Sequence, residues 1–193
     1  KKSIEDVKKV IIVGEIFVRR DTFSIQEISD HLIERGIYPK PTDVTEWVRY
    51  TDFVRKTGFN CASRNGDSSW RSKLGLYKEK AIFQVENIYK DVVEHKVARH
   101  LIPTGLVVRA PHDMDLIMKN AERDFVDYTL ESETTVSSGV AATAMEEGFS
   151  GTIIIAPFAC LPGRLLEGVF APWARSRNYP VLTLENDAEP YPP

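Results

Sequence analysis

Two short apolar runs, one near each end of the chain, constrain its fold more than any other feature. The first covers residues 10–13 and ends at Gly14, and the second covers residues 151–156 and ends at Pro157. A continuous apolar run of this length, closed by a turn-forming residue, is typical of a strand buried on both faces of a sheet. Such strands occur in parallel sheets covered by helices, so the two runs predict the centre of an α/β fold.

Helical patterns alternate with these strands. The first run is followed by a predicted helix with Ser24 at its N-cap and Gly36 at its C-cap, and a helix of small residues over 136–147 precedes the second run. Pro162 fits the first turn of a third helix, and residues 181–184 form a third apolar strand. This alternation predicts a three-layer α/β sandwich with a mainly parallel sheet, Rossmann- or flavodoxin-like.

The middle of the chain carries a different pattern. Residues 60–69 are small, polar and turn-forming, which predicts a mobile loop. From Trp70 to Leu101 apolar residues return at steps of three and four: Leu74, Tyr77, Ala81, Val85, Ile88 and Val92. A helix of about 30 residues would be about 45 Å long, so we expect it to break or to project as a subdomain. We therefore interpret residues 1–193 as one α/β domain with a helical insertion over 60–102.

Composition excludes several classes of protein. The 193 residues carry 25 Lys and Arg against 28 Asp and Glu, a net charge of −3, which argues against a dedicated nucleic-acid binder. No apolar run approaches the roughly 18 residues of a membrane helix. Two cysteines, Cys61 and Cys160, are too few for a disulfide framework and favour a reducing cytoplasm. Because the chain opens without Met and ends in two prolines, we expect it to be part of a longer protein.

The segment PFACLPG, residues 157–163, is the most informative for function. It leaves the carboxyl end of a predicted buried strand and enters a helix, at the edge where open α/β sheets bind ligands. A helix N-terminus stabilises a thiolate, which would make Cys160 a better metal ligand or nucleophile. The alternative is a small cysteine packed under a turn, since free cysteines are among the most buried residues.

This segment also carries a resemblance to a known family. With GTIII before it and PVLTLEND after it, PFACLPG resembles the PFxCxPG segment of CoA-substrate-specific enzyme activases, relatives of the activators of 2-hydroxyacyl-CoA dehydratases. GEIFVR at residues 14–19 and DTF at 21–23 are similar to the start of that domain, and Glu131-Ser132-Glu133 falls where the family carries a Gly-Glu pair. The similarity fades over residues 39–99.

The resemblance implies an ATP-driven electron-transfer system in which a [4Fe–4S] cluster passes electrons to a dehydratase-like partner. In that system Cys160 corresponds to the motif cysteine and is the candidate metal ligand. The candidate cofactor-binding residues are Cys160, Gly163, Glu15, Arg19 and Glu133. Nothing in this chain resembles the ATPase of that system, and it has no glycine-rich phosphate loop, so the resemblance implies an ATPase region or subunit as its partner.

Two considerations limit what this chain does alone. A [4Fe–4S] cluster takes about four thiolates, and no spacing links Cys61 to Cys160. The missing ligands lie outside this chain, two chains share a cluster as a homodimer, or no cluster is bound; we favour the first and expect the isolated chain to be inactive and without a cluster. Ile25 and Ser132 depart from the family's Asn and Gly, which puts an intact polar site around the first strand in doubt.

Two other functions remain open. In the first, Arg19, Glu15 and the 157–163 loop line a pocket for an anionic small molecule such as CoA, without redox chemistry. In the second, Cys160 is a nucleophile with His112 as its base, although the neighbouring Asp113 is better explained as a helix cap.

Overall fold

The computed structural model describes residues 7–65, 69–104 and 108–187. The chain divides into two compact units, one formed by Lys1–Tyr50 with Arg109–Pro193 and the other by Thr51–Val108. The first is an α/β unit and the second is helical. In the part of the chain that is described, no helix has both the length and the apolar character needed to cross a membrane.

Four parallel strands form the sheet of the α/β unit. They are β1 (Lys8–Gly14), β2 (Ile37–Pro41), β3 (Gly151–Pro157) and β4 (Val181–Asn186). Their order is β2-β1-β3-β4, so the two predicted apolar runs form the two central strands. Side chains on both faces of these strands are fully buried, because helices cover the sheet on both sides.

Six α-helices are described. They are α1 (Thr22–Glu34), α2 (Val44–Asn65), α3 (Trp70–Leu101), α4 (Met114–Asp124), α5 (Glu133–Glu146) and α6 (Leu161–Ser176), and a short 3₁₀ helix follows α3 at Ile102–Thr104. In the α/β unit, α1 packs its apolar residues against Ile12, Ile153 and Ile155. Helices α5 and α6 pack against the central strands as well, and the predicted three-layer α/β sandwich is confirmed.

The small residues of α5 allow close packing. From Thr134 to Ala144 every residue of this helix is buried, so no face of it is left for large side chains. A Cβ atom on Gly139 would lie 2.3 Å from the carbonyl oxygen of Ile117 in α4, which means that only glycine permits this approach of the two helices. The sequence pattern of small residues thus reflects a helix enclosed by its neighbours.

The structure corrects several predicted boundaries. Helix α1 begins three residues earlier than predicted, and its N-cap is Asp21, whose carboxylate accepts hydrogen bonds from the N–H and hydroxyl of Ser24. The predicted loop at 60–69 was wrong for its first part, because α2 continues through Asn65. Residues 66–68 lie outside the described residues. Gly36 has φ +69° and ends α1 as predicted.

The helical unit is built around the pairing of α2 with α3. Phe59 of α2 and Phe83 of α3 stack edge to face with ring centroids 5.5 Å apart. Lys90 of α3 forms an ion pair with Asp52 of α2 at 2.7 Å. Helix α3 runs for 32 residues as one α-helix, so of the two expected outcomes the break does not occur, and the projecting subdomain stays a prediction.

Candidate functional site

The carboxyl edge of the sheet contains a topological switch point between β1 and β3. The chain leaves β1 toward β2 on one side, whereas β3 and then β4 lie on the other. The segments that follow β1 and β3 therefore diverge, and open parallel sheets bind ligands at such a point. Four of the five predicted cofactor-binding residues lie in or next to these two segments: Glu15, Arg19, Cys160 and Gly163.

Gly14 brings the end of β1 directly against β3. It has φ +119°, and a Cβ atom at this position would lie 2.0 Å from the carbonyl oxygen of Ile155. The N–H of Glu15 donates to that same oxygen at 3.0 Å. Only glycine fits this conformation, so Gly14 fixes the direction in which the following loop leaves the sheet.

Two predicted residues, Glu15 and Glu133, come together around this loop. Glu15 Oε2 accepts a hydrogen bond from the N–H of Val18 at 2.8 Å, and Glu133 Oε1 accepts one from the N–H of Ile16 at 3.4 Å. Burial raises the pKa of Glu133 above its ordinary value, and the negative charge of Glu15 adds to this increase. The hydrogen bond from Ile16 opposes it. The switch point therefore carries two adjacent carboxylates.

Arg19 is buried rather than offered to solvent. Its side chain is 1% exposed, and Nη1 donates to Thr42 Oγ1 and, at 2.8 Å, to Glu46 Oε1. Burial raises the pKa of Glu46, while the charge of Arg19 opposes the increase. The guanidinium therefore anchors the loop after β1 to the start of α2. Thr42 and Glu46 were not predicted as site residues, because their only sequence signal is that they follow β2 and open a helix.

Cys160 occupies the N-cap position of α6. It has extended backbone angles, φ −65° and ψ 119°, and a partly exposed side chain, so it does not lie fully buried under the turn. Its carbonyl accepts the N–H of Arg164 at 3.0 Å, which starts the helix. A Cβ atom on Gly163 would lie 2.5 Å from the Cβ of Ala156, so glycine lets the first turn of α6 rest on the end of β3.

Side-chain contacts fix the position of the Cys160 loop. Arg164 Nη2 donates to Glu185 Oε2 at 2.6 Å, which ties α6 to the end of β4. Thr134 Oγ1 donates to the carbonyl of Pro162 at 2.9 Å, which ties the start of α5 to the start of α6. Glu133 and Cys160 thus belong to neighbouring segments at one edge of the sheet.

Other predicted candidates lie elsewhere. Cys61 is an exposed residue of α2 in the helical unit. Burial raises the pKa of Glu147, and the nearby His112 opposes the increase. Glu147 follows the end of α5 just before β3 begins. His112 is therefore at the amino edge of the sheet, opposite Cys160, and the structure does not assemble the Cys–His pair. Asp113 caps α4 by accepting the N–H of Leu116 at 3.1 Å, as predicted.

The described residues contain no group of three or more His, Cys, Asp or Glu side chains placed to hold a metal ion. At the carboxyl edge they offer one thiol, that of Cys160. This donor set does not fit a complete [4Fe–4S] site.

Comparison with known proteins adds no relative: no family model, curated protein or solved structure matches the chain.

Proposed function

We propose that this chain is the non-ATPase α/β part of a CoA-activase-like protein related to the 2-hydroxyacyl-CoA dehydratase system. Its role there is to hold one side of an iron–sulfur cluster used in ATP-driven electron transfer in the cytoplasm. Cys160 supplies a thiolate ligand. The remaining ligands come from outside the described residues, and the ATPase and the dehydratase-like electron acceptor are its partners.

The observation that carries this proposal is the placement of the motif cysteine. Cys160 stands at the switch point, at a helix N-terminus, with its side chain partly exposed. A helix N-terminus presents backbone N–H groups beside the sulfur, and a thiolate is the form of cysteine that binds iron. N–H groups in the first turn of α6 can also hydrogen-bond to sulfur, which is how proteins tune cluster potentials.

Anaerobic reconstitution with iron and sulfide tests the proposal in the protein that carries this chain together with its ATPase region. We expect stoichiometric iron and a broad visible absorption that Cys160→Ser abolishes. Cys61→Ser is the matched control and should retain the cluster, because the proposal draws the remaining ligands from outside the described residues and Cys61 is one of the described residues. Iron content that is zero in the unmodified protein, or unchanged by Cys160→Ser, would contradict the proposal.

A second candidate function is a small-molecule site without redox chemistry. The specific observation in its favour is that Cys160 caps α6 without a side-chain hydrogen bond, so no cap side chain occupies the N–H groups of the first turn. Helix N-termini of this kind bind phosphate groups. Arg164 adds a positive charge in the same turn, whereas the buried Arg19 contributes by holding the neighbouring loop.

Thermal unfolding in the presence of CoA tests this second function. If CoA binds by its phosphates, millimolar CoA should raise Tm by a few degrees, about 2–4 °C, and pantetheine, which lacks them, should not. Arg164→Ala should remove the shift, and Arg175→Ala, at the other end of α6, should leave it intact. Equal shifts with CoA and pantetheine, or no shift at all, would exclude a phosphate site here.

A further inference from the structure

Helix α3 contacts α2 through a mostly polar side, in which Phe83 is the buried apolar residue, and exposes an apolar stripe on the opposite side. The contacts that join it to α2 come from Phe83, Glu86 and Lys90, together with Lys80, which donates to Ser63 Oγ at 2.6 Å. Val85 lies about 160° around the helix from Phe83, at 100° per residue. The side of α3 that turns away from α2 is therefore the side that carries the apolar stripe.

The apolar stripe consists of Trp70, Leu74, Tyr77, Ala81, Val85, Ile88 and Val92. Its large members are between 48% and 71% exposed. A contiguous apolar surface of this kind on a folded protein marks an interaction site. Since α3 already has α2 on its opposite side, the stripe is available to a further chain.

The spacing of the stripe indicates the secondary structure of the chain that would bind it. Trp70, Leu74, Tyr77 and Ala81 alternate steps of four and three, and Val85, Ile88 and Val92 resume the same alternation after one four-residue step. Steps of three and four correspond to the a and d positions of a coiled coil, with one insertion between the two halves. A ridge of this period accepts a second α-helix along its length.

The residues on either side of the stripe indicate the charge of the partner helix. In the half of the stripe from Trp70 to Ala81, the e and g positions on either side of the seam are all basic: Arg71, Lys73, Lys78 and Lys80. In the half that follows, these positions hold Tyr89, Lys96 and one acidic residue, Asp91. Charges at e and g select coiled-coil partners by attraction and repulsion. A second copy would bring basic flanks against basic flanks, whereas an acidic helix would pair with them.

We propose that the exposed stripe of α3 docks an acidic amphipathic helix of another protein. The partner helix carries apolar residues at a and d and Glu or Asp at e and g. Trp70 and Tyr77 form the aromatic anchors of this interface, because large, rigid aromatic side chains lose little entropy when they are buried. The proposal is independent of the Cys160 site and concerns the helical unit alone.

Two synthetic helical peptides with the same apolar heptads test whether the stripe prefers an acidic helix. One carries Glu at every e and g position and the other carries Lys, and fluorescence anisotropy measures the binding of each to the 193-residue chain. We expect the Glu peptide to bind at least about tenfold more tightly than the Lys peptide. Equal affinities, or binding of neither peptide, would overturn the proposal.

A charge-reversed chain completes the test. Arg71→Glu/Lys78→Glu/Lys96→Glu should invert the preference, so that the Lys peptide binds more tightly. Lys8→Glu/Lys119→Glu/Arg175→Glu makes the same change in net charge at exposed positions of the α/β unit and should leave the preference unchanged. Circular dichroism confirms that each variant is folded. A preference that follows net charge in both variants would overturn the proposal.

Two further measurements identify other occupants. If light scattering shows a dimer that Val85→Glu dissociates, the stripe is covered by a second copy. If the chain sediments with phosphatidylserine vesicles and the Glu peptide does not compete, it binds an anionic lipid surface. Either result would replace the acidic helix as the occupant.

Discussion

At the scale of one residue, Arg19 shows that a side chain can lie where ligands bind and still be unable to bind one. It follows β1 at the edge where ligands bind, which suggested an anion site, yet its guanidinium is buried and paired with Glu46. The charge and position of Arg19 are visible in the sequence, but its partner lies 27 residues away at the start of α2. Removing one member of such a pair costs about 3–5 kcal/mol because the other charge is left buried alone. A loss of ligand binding in Arg19→Ala would therefore reflect folding.

Substitution of Glu133 tests the environment of the same site more directly than substitution of Arg19 does. Burial raises its pKa in the folded state, so its carboxyl is protonated more readily in the fold than in the unfolded chain. Its contribution to stability is fully present below the unfolded pKa, near 4.5, and is lost as pH rises through the higher folded value. Glu133→Gln keeps an oxygen acceptor for Ile16 N–H and removes the titration.

The expected outcome is a pH-dependent difference in the free energy of unfolding, measured in urea from pH 4 to 8. Relative to the wild type, Glu133→Gln should become more stable as pH rises above about 4.5. The exposed Glu122→Gln on α4 serves as the control for the loss of one charge. A difference that is flat across this range, or of opposite sign, would show that burial does not govern this carboxyl.

At the scale of elements, the sequence predicts strands and helix ends that depend on nearby residues. It does not predict features that depend on packing against another element of the fold. The two central strands, the glycine that ends α1 and the cap at Asp113 follow from local composition and were predicted correctly. Residues 60–65 of α2 were predicted as a loop because small polar residues favour turns unless a neighbouring helix supports them. The helical periodicity of α3 was recognised, but a periodicity does not show which face of the helix another helix covers. Here the covered face is mostly polar, with Phe83 as its buried apolar residue.

The same distinction applies to the candidate site. Glu15, Cys160 and Gly163 were found because parallel strands place their carboxyl ends at one edge, a rule that needs only the order of elements. Glu133 was found through a family resemblance, and the structure brings it to the loop after β1. Thr42 and Glu46 were missed because their role depends on a side chain that reaches them from another loop.

At the scale of the whole molecule, apolar burial is distributed unevenly between the two units. Of the apolar side chains described as buried, Phe83 is the one that belongs to the helical unit, and all the others belong to the α/β unit. Hydrophobic burial is the dominant favourable contribution to folding. The helical unit is therefore held mainly by the pairing of α2 with α3 and by helix propensity, which alone give marginal stability.

This imbalance predicts that the two units open independently. Amide hydrogen exchange of the 193-residue chain should show residues of α3 exchanging at least about 100-fold faster than residues of β1 and β3, since each tenfold step corresponds to about 1.4 kcal/mol of opening free energy. Phe83→Ala, which removes about 3 kcal/mol of packing, should abolish protection in α3 and leave β3 unchanged. Ile154→Ala is the reciprocal variant and should weaken protection in the sheet. If Phe83→Ala lowered protection equally in both units, the chain would unfold as one cooperative body, and the stability of α3 would not depend on its own few buried contacts.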